Sequence, residues 1–348
     1  MNKRLFLCCL AWIAFLSGRA QSFDVSSNGA TVVVHEAFND RLFVYNIPHN
    51  KKSEITIDVG SENWIDLVAD SLVMVHYTYS ADKTVLYSLA SGKKLFAWPQ
   101  HCFTHESETE LYWIDRDWTL YRYSLADLTA PMTVIKFSAD KDAQPSGYFQ
   151  FSADSKRIAV AYNRYERGYV GVFDLQGGKE LQQFPGFECC AVFSRGATGG
   201  NMYLFDMDHA GSLLMGGNDT KASLFNIAKG REIAALKTPQ SGPADFGSAA
   251  FSADGKTVYL QGQQTIYILG SKNFSPKDTI SAAGKWVPYG TPATYAFQKE
   301  FIYKGLRLTK DNRYLFLLCQ PANGEKPFIV RRKASDNFKG AVEKFWYR

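Results

Sequence analysis

A phrase that occurs twice, a composition rich in β-forming residues, and short apolar runs separated by turn residues predict an all-β fold. The fold class is a seven-bladed β-propeller built from four-stranded antiparallel blades. Residues 151–162 read FSADSKRIAVAY and residues 251–262 read FSADGKTVYLQG. Both run aromatic, Ser, Ala, Asp, small polar, Lys, then an apolar stretch, and self-similarity of that kind marks a repeat architecture. The chain is 15% aromatic and 21% charged, with 27 glycines among 348 residues. No linker rich in Pro, Ser or charge divides it, so a single body is expected over residues 21–348.

Residues 1–20 stand outside that body. Lys3 and Arg4 precede an apolar run from Leu5 to Leu16, and Ser17, Gly18, Arg19 and Ala20 follow. That order is the pattern of a secretory signal peptide, with cleavage after Ala20. The run is shorter than the roughly 20 residues a membrane span needs. Cys8 and Cys9 lie inside it and Leu7 stands where a lipoprotein signal has a small residue, so export without lipidation is expected. The mature chain would then be periplasmic, exposed at the cell surface or secreted. Cleavage removes Lys3, Arg4 and Arg19 and lowers the formal charge from +5 to +2. Nothing in that balance supplies the concentrated basic face of a nucleic-acid binder. No mature apolar stretch is long enough for a membrane span.

The blades follow in order. Blade one covers about 23–60 and blade two about 64–99, the latter ending in TVLYSLASGKKLFAWP. Blade three, about 100–138, contains ELYWIDRDWTLYRYSL. Blade four, about 146–186, opens on the first repeated phrase and continues through VGVFDLQGGKEL. Blade five, about 200–238, contains MYLFDMDHAGSLLMGG and LFNIAKGREI, and blade six, about 244–284, opens on the second phrase. Blade seven, about 300–348, holds FIYKGLRLTKDNRYLFLLCQ and the C-terminal strand. In FSADGK the turn is chemical: Asp254 can bond the backbone two residues on, and Gly255 tolerates positive φ.

FSADGK and FSADSK, followed by VFDLQGGKEL and LFNIAKGREI, resemble the WD40-like (YVTN/PD40-type) β-propeller repeats of exported bacterial proteins. The resemblance covers essentially residues 23–348 and implies the fold more than a function. The chain has no Trp-Asp dipeptide and no Gly-His pair, and the turns of blades two and three are degenerate. These departures separate it from the intracellular WD40 pattern.

Catalytic signatures are absent: there is no G-x-S-x-G, H-E-x-x-H, P-loop or G-x-G-x-x-G. Among six scattered histidines only His101 and His105 are close in sequence, with Glu106, Glu108 and Glu110 beside them, and a polar loop explains that cluster without a metal. DMDHAG, Asp206 to Gly211, imitates a calcium loop, but it has Ala210 at the fifth place and Gly217 at the twelfth, so a hairpin turn is expected. DRDW, Asp115 to Trp118, reads as another strand connection. Carboxylates from different blades could still meet at the central channel, as in propeller glycosidases, but no spacing rule reveals such a pair. Asn218 begins an N-glycosylation-type triplet. Cys102, Cys189, Cys190 and Cys319 survive cleavage, as two disulfides of open connectivity or as small buried residues. No metal or other cofactor is expected.

Two long connections, Phe187 to Gly200 and Gly284 to Glu300, join the last strand of one blade to the first of the next. Such inserts cost ordering entropy and commonly carry binding. They share a rim with the loops between each blade's second and third strands. That rim gathers Trp64, Trp118, Arg164, Tyr165, Arg167, Arg195, Trp286 and Tyr289, aromatic and Arg residues of the kind that anchor interfaces. The expected function is therefore non-catalytic recognition of a protein, peptide or glycan through the rim. Two rivals are a hydrolase, lyase or lactonase at the central channel, with His101, Glu106 and Asp115 as its candidates, and a purely structural envelope component. The sequence carries no signal for oligomeric state.

Overall fold

The computed structural model describes residues 21–36, 39–58, 63–77, 80–104, 109–165, 167–185, 205–218, 221–237, 248–262, 265–281, 301–321, 326–334 and 343–345. These form seven four-stranded antiparallel sheets, spanning 21–56, 63–98, 103–136, 143–185, 205–237, 248–281 and 301–345, with no α-helix among the described residues. Each sheet is a simple meander in chain order, and the first strands of successive blades lie against one another around a central channel. Hence the connections between strands one and two open on one face of the disc. Those between strands two and three, and from blade to blade, open on the other.

Burial follows position. Second strands pack against both neighbouring blades, so they read as unbroken apolar runs: Val73, Met74 and Val75 are all fully buried. Fourth strands form the circumference, and in Lys51–Thr56 only Ile55 is buried. The core therefore lies in the seams between sheets rather than in one central mass.

The ring closes between blade one and blade seven without exchange of a strand, since each blade comes from one continuous segment. Side chains do the closing. Phe23, Val32, Val34 and Phe43 pack on Phe316, Leu318 and Ile329. A Cβ at Gly305 would lie 2.6 Å from the Phe23 ring, so the missing side chain admits that ring against the backbone. Arg307 sits 5.6 Å over Phe23 and donates from Nε to Asp24 Oδ1 at 3.1 Å.

The repeated phrase builds a repeated turn. Ser252 Oγ donates to Asp254 Oδ1 (2.6 Å), Lys256 N–H donates to the same oxygen (3.0 Å), and Thr257 N–H donates to Ser252 Oγ (3.0 Å). Ser152 with Asp154, Thr309 with Asp311, and Ser26 with Asn28 repeat the arrangement in three other blades. The following residue has positive φ each time: Gly255 65°, Ser155 55°, Asn312 55°, Gly29 70°. Gly255→Ala is expected to cost about 1 kcal/mol through the left-handed backbone. A lower urea midpoint at unchanged slope would show it; an unchanged midpoint would contradict it.

Candidate functional site

The rim that the sequence singles out is partly interior. Trp64 is 2% exposed and stacks on His76 at 4.6 Å between ring centres. Trp118 is 5% exposed, donates from Nε1 to Ala143 O at 2.9 Å, and meets Tyr162 edge-on at 5.3 Å. The expectation that both present a surface is corrected: Trp64 lies in a first strand whose side chains fill a seam, and Trp118 enters the seam between blades three and four. Nothing in a single sequence separates a seam tryptophan from a surface one.

Arg164 and Tyr165 do reach the rim, on the hairpin between strands two and three of blade four. Tyr165 is 70% exposed and holds φ at 50°, while its hydroxyl donates to Asp142 Oδ2 at 2.6 Å. The Arg164 guanidinium donates to Asp140 Oδ2 at 3.0 Å and lies 5.1 Å from the Tyr169 ring and 6.0 Å from that of Tyr165. Tyr169 stacks on Tyr162, whose hydroxyl donates to Glu180 at 3.0 Å. Burial raises the Glu180 pKa, so this carboxyl holds its proton more readily than a surface Glu. Arg167 faces Arg164 in the hairpin register. Arg195, Trp286 and Tyr289 lie outside the described residues.

Of the enzyme candidates, His101 and Asp115 fall among the described residues. His101 packs 5.1 Å from Trp64 and 6.0 Å from His76, and burial, with His76 and Lys83 nearby, pushes its pKa down to about 3. Asp115 accepts the Thr119 N–H at 2.8 Å inside its hairpin, and Glu106 lies outside the described residues. Among the described residues no three His, Cys, Asp or Glu side chains gather to hold a metal. Asp208, in the calcium-like segment, accepts from the backbone of Ser212 and Leu213, as a hairpin turn does. Cys102 and Cys319 are buried free thiols, raised in pKa by burial. Cys189 and Cys190 lie outside the described residues.

On the opposite face, sequence reasoning missed a second locus. A cavity of about 350 Å³ opens at the channel mouth, and its lining includes Asp24, Asp66, Gln150 and Arg307. Three of these, Asp24, Gln150 and Arg307, stand two residues before the Ser or Thr that opens a first hairpin, as do Asp206 and Ala250 relative to Asp208 and Ser252. Aligning the blades on that turn would have found the belt. Its carboxylates have a structural reason to be there, because inner strands expose unpaired N–H groups along the channel. Asp24 Oδ2 accepts the Leu67 N–H at 2.8 Å, and Asp206 Oδ2 accepts the Phe251 N–H at 2.9 Å, each from the next blade.

Asp66 is held from behind. Its Oδ2 lies 3.1 Å from Nε2 of His76, a ring sandwiched between Trp64 and Phe103. Nδ1 of His76 lies 3.4 Å from Thr84 Oγ1, which donates to Gln100 O and accepts the Cys102 N–H. Asp, His and Thr in line imitate a nucleophile relay, but Thr84 is fully buried and its hydroxyl is spent on the backbone. Burial raises the pKa of Asp24, Arg307 lowers it, and the nearby Asp66 charge raises it again.

Fold and site together define a seven-bladed β-propeller with a polar channel mouth on one face and an aromatic, Arg-bearing hairpin on the other. The chain is similar to two solved structures, Kuenenia stuttgartiensis hydrazine synthase and the mitotic checkpoint complex. The first matches at TM-score 0.61 and 11% identity over 91% of this chain and 96% of that one. The second matches at TM-score 0.54 and 14% identity over 87% and 84%. At these identities the likeness shows the fold alone. No family model and no curated protein sequence matches the chain.

Proposed function

We propose that the protein is an exported, non-catalytic recognition disc that binds a protein or peptide through the Arg164–Tyr165 face. The observation that carries this reading is Tyr165: a large aromatic ring, 70% exposed, fixed by a positive-φ backbone and by its bond to Asp142. An exposed ring already immobilised loses little conformational freedom on binding, and Tyr and Arg are the side chains that most often dominate interfaces. The secretory pattern of residues 1–20 supports export, which N-terminal sequencing of the protein as isolated tests.

A catalytic reading has one observation in its favour, the approach of Asp24 and Asp66 at the channel mouth. Both are engaged, Asp24 by Leu67 N–H and Arg307, Asp66 by His76, and that engagement supports a binding role over proton transfer.

The test is capture of envelope and secreted proteins, followed by affinity measurement with the identified partner. Tyr165→Asn keeps a residue that tolerates left-handed backbone and removes the ring. It is expected to weaken binding about 10- to 100-fold, as does Arg164→Ala. A partner that binds both variants as tightly as the parent chain would refute the assignment of this face.

A further inference from the structure

The channel mouth has properties of its own, independent of the rim. We propose that it binds a neutral polyhydroxylated ligand, the terminal sugar unit of a glycan. The cavity of about 350 Å³ falls within the roughly 300–1,000 Å³ of small-molecule sites. Its charged lining residues balance two against two, Asp24 and Asp66 against Arg307 and Lys310. Asp24 is further compensated locally by Arg307 at 3.1 Å.

A balanced site offers no field to draw in an ion. An ionic ligand would surrender its hydration to reach Asp24 and Arg307, which already pair with one another, and Asp66, which already bonds His76, an exchange that seldom repays desolvation. Hydroxyl groups fit differently. Each donates and accepts, and ionised carboxylates keep acceptor capacity beyond one bond per oxygen. Asp66 brings such a carboxylate to the cavity, pinned by a buried ring stack, and Gln150 brings an amide whose nitrogen is tied to Asp206. Phe151, half-buried in the same lining and braced edge-on by Tyr112 at 4.8 Å and Phe149 at 5.7 Å, supplies an apolar surface for the C–H face of a sugar ring. Rigid acceptors, a guanidinium and an aromatic ring, drawn from blades two, four and seven, make a preorganised polar socket.

The experiment is saturation-transfer NMR with titration calorimetry on the whole chain. The probes are the methyl glycosides of glucose, galactose, mannose and N-acetylglucosamine, with glucuronate and glucosamine as charged comparators. At least one neutral glycoside is expected to bind saturably, with Kd on the order of 1 mM. Asp66→Asn and Phe151→Ala, checked for folding by circular dichroism, are each expected to weaken it at least about 10-fold, while Tyr165→Asn leaves it unchanged. Absence of saturable binding by every neutral glycoside, preference for a charged comparator, or undiminished binding by folded Phe151→Ala would overturn the proposal. The rim reading survives each of those results, since its own test uses a macromolecular partner on the other face.

Discussion

Trp118→Ala is expected to destabilise the protein by about 3–5 kcal/mol, the usual cost of truncating a buried aromatic. The indole fills the seam between blades three and four, with Tyr162 at 5.3 Å and Phe173 at 5.4 Å. Its removal leaves a cavity and strips Ala143 O of the Nε1–H donor at 2.9 Å. Trp118 also holds φ at 62°, a strain that Ala retains, so nothing is recovered from the backbone. Trp118→Phe separates the contributions: it keeps most of the packing, loses the hydrogen bond, and is expected to cost about 1–2 kcal/mol. Urea unfolding followed by circular dichroism reads both. A parental midpoint for Trp118→Ala would mean that the indole does not hold the seam.

Arg307→Met is expected to weaken ring closure in a pH-dependent way. The guanidinium balances Asp24 across the seam between blades seven and one, with side chains only 19% and 17% exposed. Removing one partner of such a pair leaves a carboxylate poorly solvated, at a cost of about 3 kcal/mol near neutrality. Burial already raises the Asp24 pKa from its ordinary 3.8, and Arg307 is the charge that opposes the shift. Without Arg307 the folded-state value rises further. A carboxyl with a raised folded-state pKa contributes its full stability below 3.8 and loses it as pH climbs through the folded value. The gap between Arg307→Met and the parent chain is therefore expected to be small at acid pH and to widen toward neutrality. Adding Asp24→Asn should close most of that gap, because no charge is then left unpaired. A penalty independent of pH would show that Asp24 is not the group that suffers.

How far the sequence could be read differs between fold and site for a physical reason. Turn chemistry is local: in FSADGK and FSADSK the Ser and Asp side chains bond each other and backbone N–H groups no more than five positions away, so the repeat announces the turn wherever it occurs. Seams are not local. Whether Trp64 faces solvent or stacks on His76 depends on a neighbouring strand and on the blade beyond it. Tyr165, by contrast, lies at the tip of a hairpin, where exposure follows from position in the turn itself, and its placement was legible.

The amino-acid sequence alone determined the seven-fold β architecture, because alternation of apolar residues and turn signals sets strands within about 40 residues of one another. Only the tertiary structure decided which side chains meet. Asp24 and Arg307 are separated by almost the whole chain and become neighbours when the ring closes, and Asp66 reaches the same mouth from the next blade. Closure gathers one position from several first strands into a belt at the channel mouth, and that convergence exists only in the folded disc.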